Sequence, residues 1–533
     1  MSDDSGRSAR SQSNSGKQRS RSAARTKIRI RSEDRQLKPL PFVERLRRDF
    51  SSSLRGLLAS TLVHVLLLLA LALIAKRVIG SGEQDVLLFS WITDAQNQPV
   101  NERRQMELNA FQTPQPQPRT EQVTPDEEPA ADTSNAPSTE AEPVDVKHLL
   151  GGRNQERRDQ LLLQEGGNEK TRQTIRSGLL WLKRQQRKGG NWQLHTGYPD
   201  AGASVIRTDT GATALALLAF LGTGNSHQSG EHARVVDQGL KWLMSHQKAD
   251  GDYHDHEELG RQTAFYAHAQ ATIAVCEAYA LTGDKALRES AQRAVKFLIR
   301  SQQPTIGGWK YQPQNEKTVG DLSVTGWGLM ALHTARMGNI TFPREAFDRA
   351  SQFLDNVQVR GGALYRYEPT DPQSRVSVAM TAEGLLCRQF LGWPKNHPAL
   401  VEGIAYLQQP RNAPSWTKGR RNVYAWYYTG HVLHNMADTA WTQWYGQVQD
   451  LIVKNQVRSG GRGENDVRGS WHPRQPVGSP HEYAEKAGRL YLTSMCLLIL
   501  EMPFRHLPIY AEPGAPAAAE TAQAPIPQRA TAP

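Results

Sequence analysis

The chain contains 533 residues, of which 22% are charged and 38% hydrophobic, and its formal net charge is +11 at pH 7. This length is enough for two or three ordinary domains, but the composition is uneven, so length alone overestimates the folded part. Three widely spaced cysteines in apolar stretches argue against a disulfide framework and a Cys-x-x-Cys metal site; they are Cys276, Cys387 and Cys496.

Residues 1–55 form a basic N-terminal arm with 15 Lys and Arg against 6 Asp and Glu. Such a polar segment buries too little apolar surface to offset its ordering entropy, so it is predicted to be disordered. Its surplus of positive charge approaches that of the whole chain, so the basic character is expected to belong to the arm and not to the folded part. A basic arm can bind nucleic acid or anionic lipid. We favour a purely topological role and do not expect nucleic-acid binding.

A single transmembrane helix is predicted at residues 56–77. Its core, GLLASTLVHVLLLLALALIA, has 20 residues without a formal charge, enough to span a hydrocarbon core of about 30 Å as a helix. The apolar run is longer than that of a cleaved signal peptide, so it is interpreted as an anchor. Because Lys and Arg are concentrated before it, the N-terminus is predicted to be cytoplasmic. The rest of the chain is then expected outside the cytoplasmic (inner) membrane, in the periplasm.

Two polar residues lie inside this predicted span, Ser60 and His64. They are four positions apart and therefore share one helix face. An ionisable side chain is costly inside a membrane, which makes His64 a functional candidate that could contact a membrane partner. The pair resembles the anchor of TonB-type energy transducers, which implies coupling to the proton gradient. The alternative is a neutral histidine that packs against a neighbouring helix.

An extended linker is predicted at residues 78–167 and a disordered tail at 511–533. Residues 113–146 are rich in Pro, Glu, Gln, Thr and Ala without a hydrophobic period, which is typical of an extended spacer. The linker and the anchor together would attach a folded domain to the membrane.

The folded domain, predicted at residues 168–510, contains an internal repeat. Its first copies read GLLWLKRQQRKGGNW, GLKWLMSHQKADGDY, AVKFLIRSQQPTIGGW and ASQFLDNVQVRGGALY, starting at residues 178, 239, 294 and 350. Each copy is followed by a second stretch that is more apolar and richer in small residues. An apolar stripe with a charged face predicts a surface helix, whereas an all-apolar helix is buried. The pattern therefore predicts an all-α fold of about six helical hairpins, with six inner and six outer helices.

The repeat resembles the QW repeat of squalene-hopene cyclases and protein prenyltransferases. The first copy carries Trp181, Leu182, Gln186, Gly190 and Trp192, and the third fits equally well. The resemblance implies an α/α toroid, which has two concentric rings of helices around a central cavity. We expect the glutamine to bond free groups at its helix end and the tryptophan to pack there, so both are interpreted as structural.

The acid motif of the cyclases is missing. The family protonates its substrate with the middle acid of Asp-x-Asp-Asp followed by Thr-Ala. Aligned at Thr325, this chain has Asp321, Ser323 and Val324 at the three acid positions. A serine hydroxyl is too weak an acid to protonate an alkene, so Asp321 is interpreted as a helix N-cap in preference to a proton donor.

Two other chemistries hosted by this fold also lack their residues. The Asp-x-Cys-Tyr zinc motif of the prenyltransferases is absent, and so is the Gly-Cys-Gly-Glu-Gln site of the complement thioester domains. The loop DGDYHDHEE, at 250–258, could hold a cation, but a polar turn explains it equally well. No metal and no cofactor are therefore predicted.

Candidate site residues lie near the starts of the inner helices, where helix-dipole ends converge on one mouth of a toroid. The weak catalytic candidates are Asp209, Asp321 and Glu383. The candidate cavity or ligand-binding residues are Tyr266, His268, Trp327, Tyr427, Tyr428, His431 and Arg489. The spacing of Tyr427, Tyr428 and His431 on one helix face fits core packing as well as cavity lining.

Two functions remain open from the sequence. The favoured one is a membrane-anchored, non-catalytic binding or scaffolding module for a lipid, glycan or peptide of the cell envelope, because the known catalytic residues are missing. The alternative is a terpenoid-cyclase-like enzyme that acts on an isoprenoid through a different acid, Glu383 or Asp209.

Overall fold

A computed structural model describes residues 150–254, 264–313, 319–371 and 373–511. The predicted arm, the transmembrane helix with Ser60 and His64, and nearly all of the linker and tail lie outside these ranges. Within the described ranges, none of the helices has both the length and the apolar character needed to cross a membrane.

The described residues form fourteen α-helices and one two-stranded hairpin. Six outer helices are α2 Glu169–Gln185, α4 Ala233–His246, α6 Lys285–Arg300, α8 Glu345–Val357, α10 Pro398–Leu407 and α12 Thr439–Lys454. Six inner helices are α3 Asp209–Gly222, α5 Ala264–Thr282, α7 Leu322–Met337, α9 Val378–Phe390, α11 Val423–Met436 and α13 Ala484–Leu500. The remaining elements are α1 Gln155–Gln164, α14 Met502–Arg505, β1 Gln358–Val359 and β2 Leu364–Tyr365.

The inner helices close into a ring. Each of α3, α5, α7, α9 and α11 packs against the next inner helix along the chain, and α13 packs back against α3. Nearly every residue of α3 and α7 is buried, whereas α6 and α8 bury only one face. The predicted alternation of outer and inner helices is therefore confirmed, and the described residues form an α/α toroid-like fold.

Repeat glutamines tie several outer helices to the next one. Gln186 donates to the carbonyl of Val235 in α4, and Gln302 donates to that of Ala346 in α8, at 2.9 and 3.0 Å. Gln456, after the last outer helix, donates to the carbonyl of Thr174 in the first, at 2.8 Å. The same interaction that links successive hairpins thus also closes the outer ring.

The repeat tryptophans join outer to inner helices. The indole Nε1 of Trp192 donates to the carbonyl of Leu182 in α2 at 2.7 Å, and its backbone N–H donates to Thr213 Oγ1 in α3 at 3.0 Å. Trp309 and Trp471 repeat both bonds in their own hairpins. Because these rings are fully buried, their predicted structural role agrees with their positions.

The C-terminal ends of the inner helices are covered by residues 501–511. Here Arg505 donates two hydrogen bonds to the Glu277 carboxylate, both 2.9 Å, and Arg153 donates a third at 3.1 Å. Arg505 also bonds the carbonyl of Leu218 near the end of α3. This end of the ring is therefore closed by a network of buried charges that joins both termini of the folded region.

Two expectations from the sequence need correction. Helix α1 lies inside the predicted linker and packs against α14, so the folded region begins by residue 150 and not at 168. The expectation that the arm alone is basic is also wrong. Residues 151–510 contain 42 Lys and Arg against 32 Asp and Glu. The acidic linker offsets this surplus of positive charge in the net charge of the whole chain.

Candidate functional site

The opposite end of the inner ring carries a cluster of tyrosines, which we call the tyrosine recess. Its members lie on inner helices near their starts or in the loops that lead to them, and they are only half-buried. They are Tyr266, Tyr311, Tyr367, Tyr424, Tyr483 and Tyr491. The rings of Tyr266 and Tyr311, for example, have centroids 6.4 Å apart.

Asp321 lies at the floor of the tyrosine recess as the N-cap of α7. Its carboxylate accepts a hydrogen bond from the Val324 amide at 2.9 Å and another from the Ser323 hydroxyl at 3.1 Å. The same serine hydroxyl is hydrogen-bonded to Tyr266. The second oxygen, Oδ2, faces Tyr367 without a well-formed hydrogen bond. The predicted capping role is therefore present, and one carboxylate oxygen is left for another partner.

Burial raises the pKa of Asp321 to about 6, while the Val324 amide and the charge of Lys310 act in the opposite direction. Lys310 itself is paired with Glu368 at 2.8 Å. No Lys, Arg or His of the described ranges forms an ion pair with Asp321. This carboxyl therefore changes protonation state close to neutral pH, which is unusual for an aspartate.

Glu383 is the second acid of the tyrosine recess. It lies on α9 with its carboxyl against Gly326 of α7, where any side chain larger than glycine would collide with it. Tyr424 donates to Glu383 Oε2 at 3.1 Å. Burial raises the pKa of Glu383 well above its usual range, and the charge of Asp321 raises it further. Glu383 therefore holds its proton more tightly than an ordinary glutamate, although the Tyr424 hydroxyl acts in the opposite direction.

Four tyrosines of the recess, Tyr311, Tyr367, Tyr483 and Tyr491, were missed in the sequence, and the fold explains the position of the first two. Tyr311 and Tyr367 each lie two residues after a buried repeat aromatic, Trp309 and Tyr365. Side chains two apart in an extended segment point to the same side, but here the chain bends into the loop that enters the next inner helix. The two hydroxyls meet at 2.6 Å. The feature of the sequence that could have identified them is a tyrosine two positions after the repeat aromatic.

Four predicted cavity residues pack together inside the ring. Trp327 stacks on Tyr427 with ring centroids 5.8 Å apart and meets Tyr428 edge-on, and Tyr427 meets His431 edge-on at 4.7 Å. None of these four side chains is more than 6% exposed. The core-packing alternative describes their position, and a ligand-binding role for them stays a prediction.

His268 occupies a structural position of the repeat. Its Nδ1 accepts the backbone N–H of Tyr253 at 3.3 Å, the role that threonine hydroxyls of α3, α7, α9 and α13 play in other hairpins. Its ring packs on Phe297 of α6, 4.8 Å between centroids. His268 therefore lies between the inner and outer rings, away from the tyrosine recess.

Asp209 and Arg489 lie near inner-helix starts but already have protein partners. Asp209 accepts amide hydrogen bonds from Asn191 at 2.9 Å and Gln193 at 2.7 Å. Arg489 forms a bidentate pair with Asp200, at 2.8 and 2.6 Å. Of the predicted site residues, the structure thus brings together Tyr266, Asp321 and Glu383, and it leaves the others in separate contacts.

The described ranges contain no group of three or more His, Cys, Asp or Glu side chains positioned to hold a metal ion. The loop at 250–258 lies partly outside those ranges, so its capacity for a cation stays a prediction. Chemically, the tyrosine recess offers phenol rings, hydroxyls and two acids that ionise reluctantly.

These features define a terpenoid cyclase-like α/α toroid domain. Residues 161–283 match the Squalene-hopene cyclase C-terminal domain family. The match covers the first two hairpins of the ring and confirms the resemblance that the repeat predicted.

Similar proteins include lanosterol synthase of Homo sapiens and lanosterol synthase of Mus musculus. Each is 29% identical over 143 residues, which is 26% of this chain and 18% of the relative. The chain therefore matches less than a fifth of the length of these synthases.

Solved structures with a similar fold include the GH76 alpha-mannanase of Bacteroides thetaiotaomicron, with a TM-score of 0.45 and 12% identity, covering 65% of this chain and 98% of that chain. Another is the GH76A alpha-1,6-mannanase of Salegentibacter sp., with a TM-score of 0.43 and 10% identity, covering 62% and 98%.

Proposed function

We propose that this protein is a membrane-anchored binding module whose tyrosine recess holds a lipid, glycan or peptide of the cell envelope without converting it. The observation that carries the proposal is the floor of the recess. Ser323 and Val324 stand where the family resemblance expects acids, and the Ser323 hydroxyl is engaged by Asp321 and Tyr266. The predicted helix at 56–77 would hold the toroid at the outer face of the cytoplasmic membrane.

The chemistry of the recess supports binding. Phenol rings give apolar faces for a lipid chain or a sugar ring, and their hydroxyls donate and accept hydrogen bonds. Ligand sites in proteins are concave, mostly apolar and have a few convergent polar groups. The half-buried tyrosines around Asp321 and Glu383 have this composition.

The second candidate is an enzyme that uses an acid of the recess as a proton donor. One observation favours it: burial raises the pKa of Glu383 and so favours the protonated form, which a general acid requires. Asp321 shares this property in part. Asp209 is a weaker candidate, because two amide groups already stabilise its carboxylate.

Native mass spectrometry of the full-length protein in lipid nanodiscs, followed by extraction, would separate the two functions. The binding proposal predicts a co-purifying lipid, glycan or peptide that is recovered unchanged. Tyr266→Ala together with Tyr424→Ala should release this molecule, whereas Tyr445→Phe, a buried tyrosine at the closed end, should retain it.

The same preparation incubated with squalene and with prenyl diphosphates tests the enzyme. Turnover that disappears in Glu383→Gln or Asp321→Asn, but persists in the surface variant Asp348→Asn, would overturn the non-catalytic proposal. Absence of turnover together with an unchanged bound molecule would support it.

A further inference from the structure

A second candidate site lies on the outer surface, between the C-terminal end of α2 and the N-terminal half of α4. It is a cleft of about 430 Å³, which we call the basic cleft. Four cationic side chains line it, namely Lys183, Arg187, Lys188 and Arg234. All four are exposed, and the cleft is separate from the tyrosine recess.

The cations of the basic cleft have no partner within the described ranges. Their side chains form neither a hydrogen bond nor an ion pair there, although other exposed arginines, such as Arg172 and Arg184, do. The one acid that lines the cleft, Glu231, is 3.9 Å from Arg176. Clustered like charges repel one another and stabilise an anionic partner.

The chain itself contains a complementary segment. Residues 121–145 carry eight Asp and Glu and no Lys, Arg or His, which gives this segment a formal charge opposite to that of the cleft. The described part of the fold begins only five residues later, at Leu150. We therefore call residues 121–145 the acidic segment.

The acidic segment joins the fold beside a second cleft that adjoins the basic cleft. Arg153 and Arg158, among the first described residues, line an adjoining cleft of about 560 Å³. The two clefts share Glu231 and His232 along their common edge. An extended chain covers about 3.4 Å per residue, so the 25 residues of the acidic segment can reach over on the order of 80 Å.

We propose that the acidic segment docks in the basic cleft of its own chain. Single ion pairs between exposed side chains are weak, so several must act together. The covalent connection gives the acidic segment an effective concentration on the order of millimolar at the cleft. An external anionic ligand at low concentration would have to compete with it.

Docking changes how the toroid is held at the membrane. With the acidic segment bound, the spacer between the predicted membrane helix and the toroid shrinks to residues 78–120. Because salt screens exposed charges, docking depends on ionic strength. It therefore controls how far the toroid can lie from the membrane.

Energy transfer between two dyes on the full-length chain in zwitterionic nanodiscs tests the proposal. Thr133→Cys labels the acidic segment, and Ser245→Cys labels the exposed end of α4. The native cysteines do not interfere, because all three are buried. We expect transfer efficiency to fall at least twofold between 20 and 500 mM salt, because the distance over which exposed charges interact shortens as the salt concentration rises.

Charge reversal supplies the decisive variant. Lys183→Glu, Arg187→Glu, Lys188→Glu and Arg234→Glu together should lower transfer at low salt to its high-salt value. A matched control reverses two lysines and two arginines around α10, Lys395, Arg411, Lys418 and Arg420, all exposed, and should leave transfer unchanged. Circular dichroism would establish that both variants are folded.

Three outcomes would overturn the proposal. Transfer could be insensitive to salt and to charge reversal in the cleft. It could fall equally in the control variant, which indicates a nonspecific attraction. It could also arise in mixtures of singly labelled chains, which means that the partner is a second copy.

Discussion

Glu277 and Glu383 are both fully buried glutamates of inner helices, and they lie at opposite ends of the ring. Burial alone would raise the pKa of Glu277, but the guanidinium groups of Arg153 and Arg505 hold it well below the usual range. Glu383 has tyrosine hydroxyls and the acid Asp321 nearby, and its pKa lies well above that range. The same residue type is therefore stabilised in its ionised form at one end and in its neutral form at the other.

The difference indicates which end has a structural role. At the closed end the Glu277 carboxylate has two guanidinium partners, and these bonds join segments far apart in the chain, so the network fixes the termini of the fold. At the tyrosine recess two acids are buried without an ion pair to a cation of the described ranges. Such an arrangement lowers stability and is typical of functional sites.

The largest expected effect is at the closed end. Glu277→Ala leaves two buried guanidinium groups without their carboxylate, and breaking a buried ion pair on one side costs about 3–5 kcal/mol. Chemical denaturation should show this loss in the free energy of unfolding. Glu231→Ala, which removes an exposed acid, should change it by less than about 0.5 kcal/mol. A similar small effect of Glu277→Ala would contradict the structural role of the closed end.

A pH-dependent effect is expected at Asp321. Its pKa is about 6 in the fold against 3.8 for a free aspartate, so folding disfavours the ionised form. The resulting destabilisation is absent below pH 4, grows as pH rises to about 6 and then stays constant, with a total of about 3 kcal/mol.

Asp321→Asn should remove this dependence while keeping the cap. The difference in unfolding free energy between variant and wild type should grow by about 2.5 kcal/mol from pH 4 to pH 7. The exposed Asp348→Asn serves as a control that should show no such trend. A pH-independent difference for Asp321→Asn would mean that Asp321 is not a buried, reluctant acid.

Ser323→Asp tests whether the tyrosine recess can recover the acid that the family resemblance expects. A carboxyl here would lie beside Asp321 and replace the bond to Tyr266, so we expect a loss of about 1–3 kcal/mol in unfolding free energy. Ser323→Ala should lose about 1 kcal/mol. The binding proposal predicts no product from squalene with the wild type or with Ser323→Ala, and product from either would favour the enzyme. Product from Ser323→Asp alone would mean that the missing acid is what keeps the wild type from catalysis.

The smallest effects are expected when one tyrosine hydroxyl is removed at each end of the inner ring. Tyr424→Phe removes a half-buried hydroxyl that donates to Glu383 at 3.1 Å and should cost about 0.5–1 kcal/mol. Tyr445→Phe removes the 2.8 Å bond to the Leu500 carbonyl at the closed end and leaves a buried acceptor unpaired, which should cost about 1–3 kcal/mol. Thermal unfolding of both variants measures the order, and a reversed order would remove the distinction between the two ends.

Much of the fold could be predicted from the repeat. Helical periodicity, small residues in every second helix and the QW pattern were sufficient for six hairpins and for the structural role of Trp192 and Trp309. Ring closure through Gln456 and Thr174 was not visible in the linear sequence, since 282 residues separate the two partners. The linker boundary was wrong because α1 has a polar sequence and is held mainly by contacts with the C-terminal end.

The sequence by itself determined the hairpin repeat, the missing cyclase acids and the complementary charges of the acidic segment and the toroid, because these depend on composition and local spacing. Only the tertiary structure decided which acids are compensated. The pKa of a buried carboxyl depends on what other segments place beside it: Arg153 and Arg505 come from the two ends of the folded region to reach Glu277, while Tyr424 and Asp321 come from two other hairpins to surround Glu383.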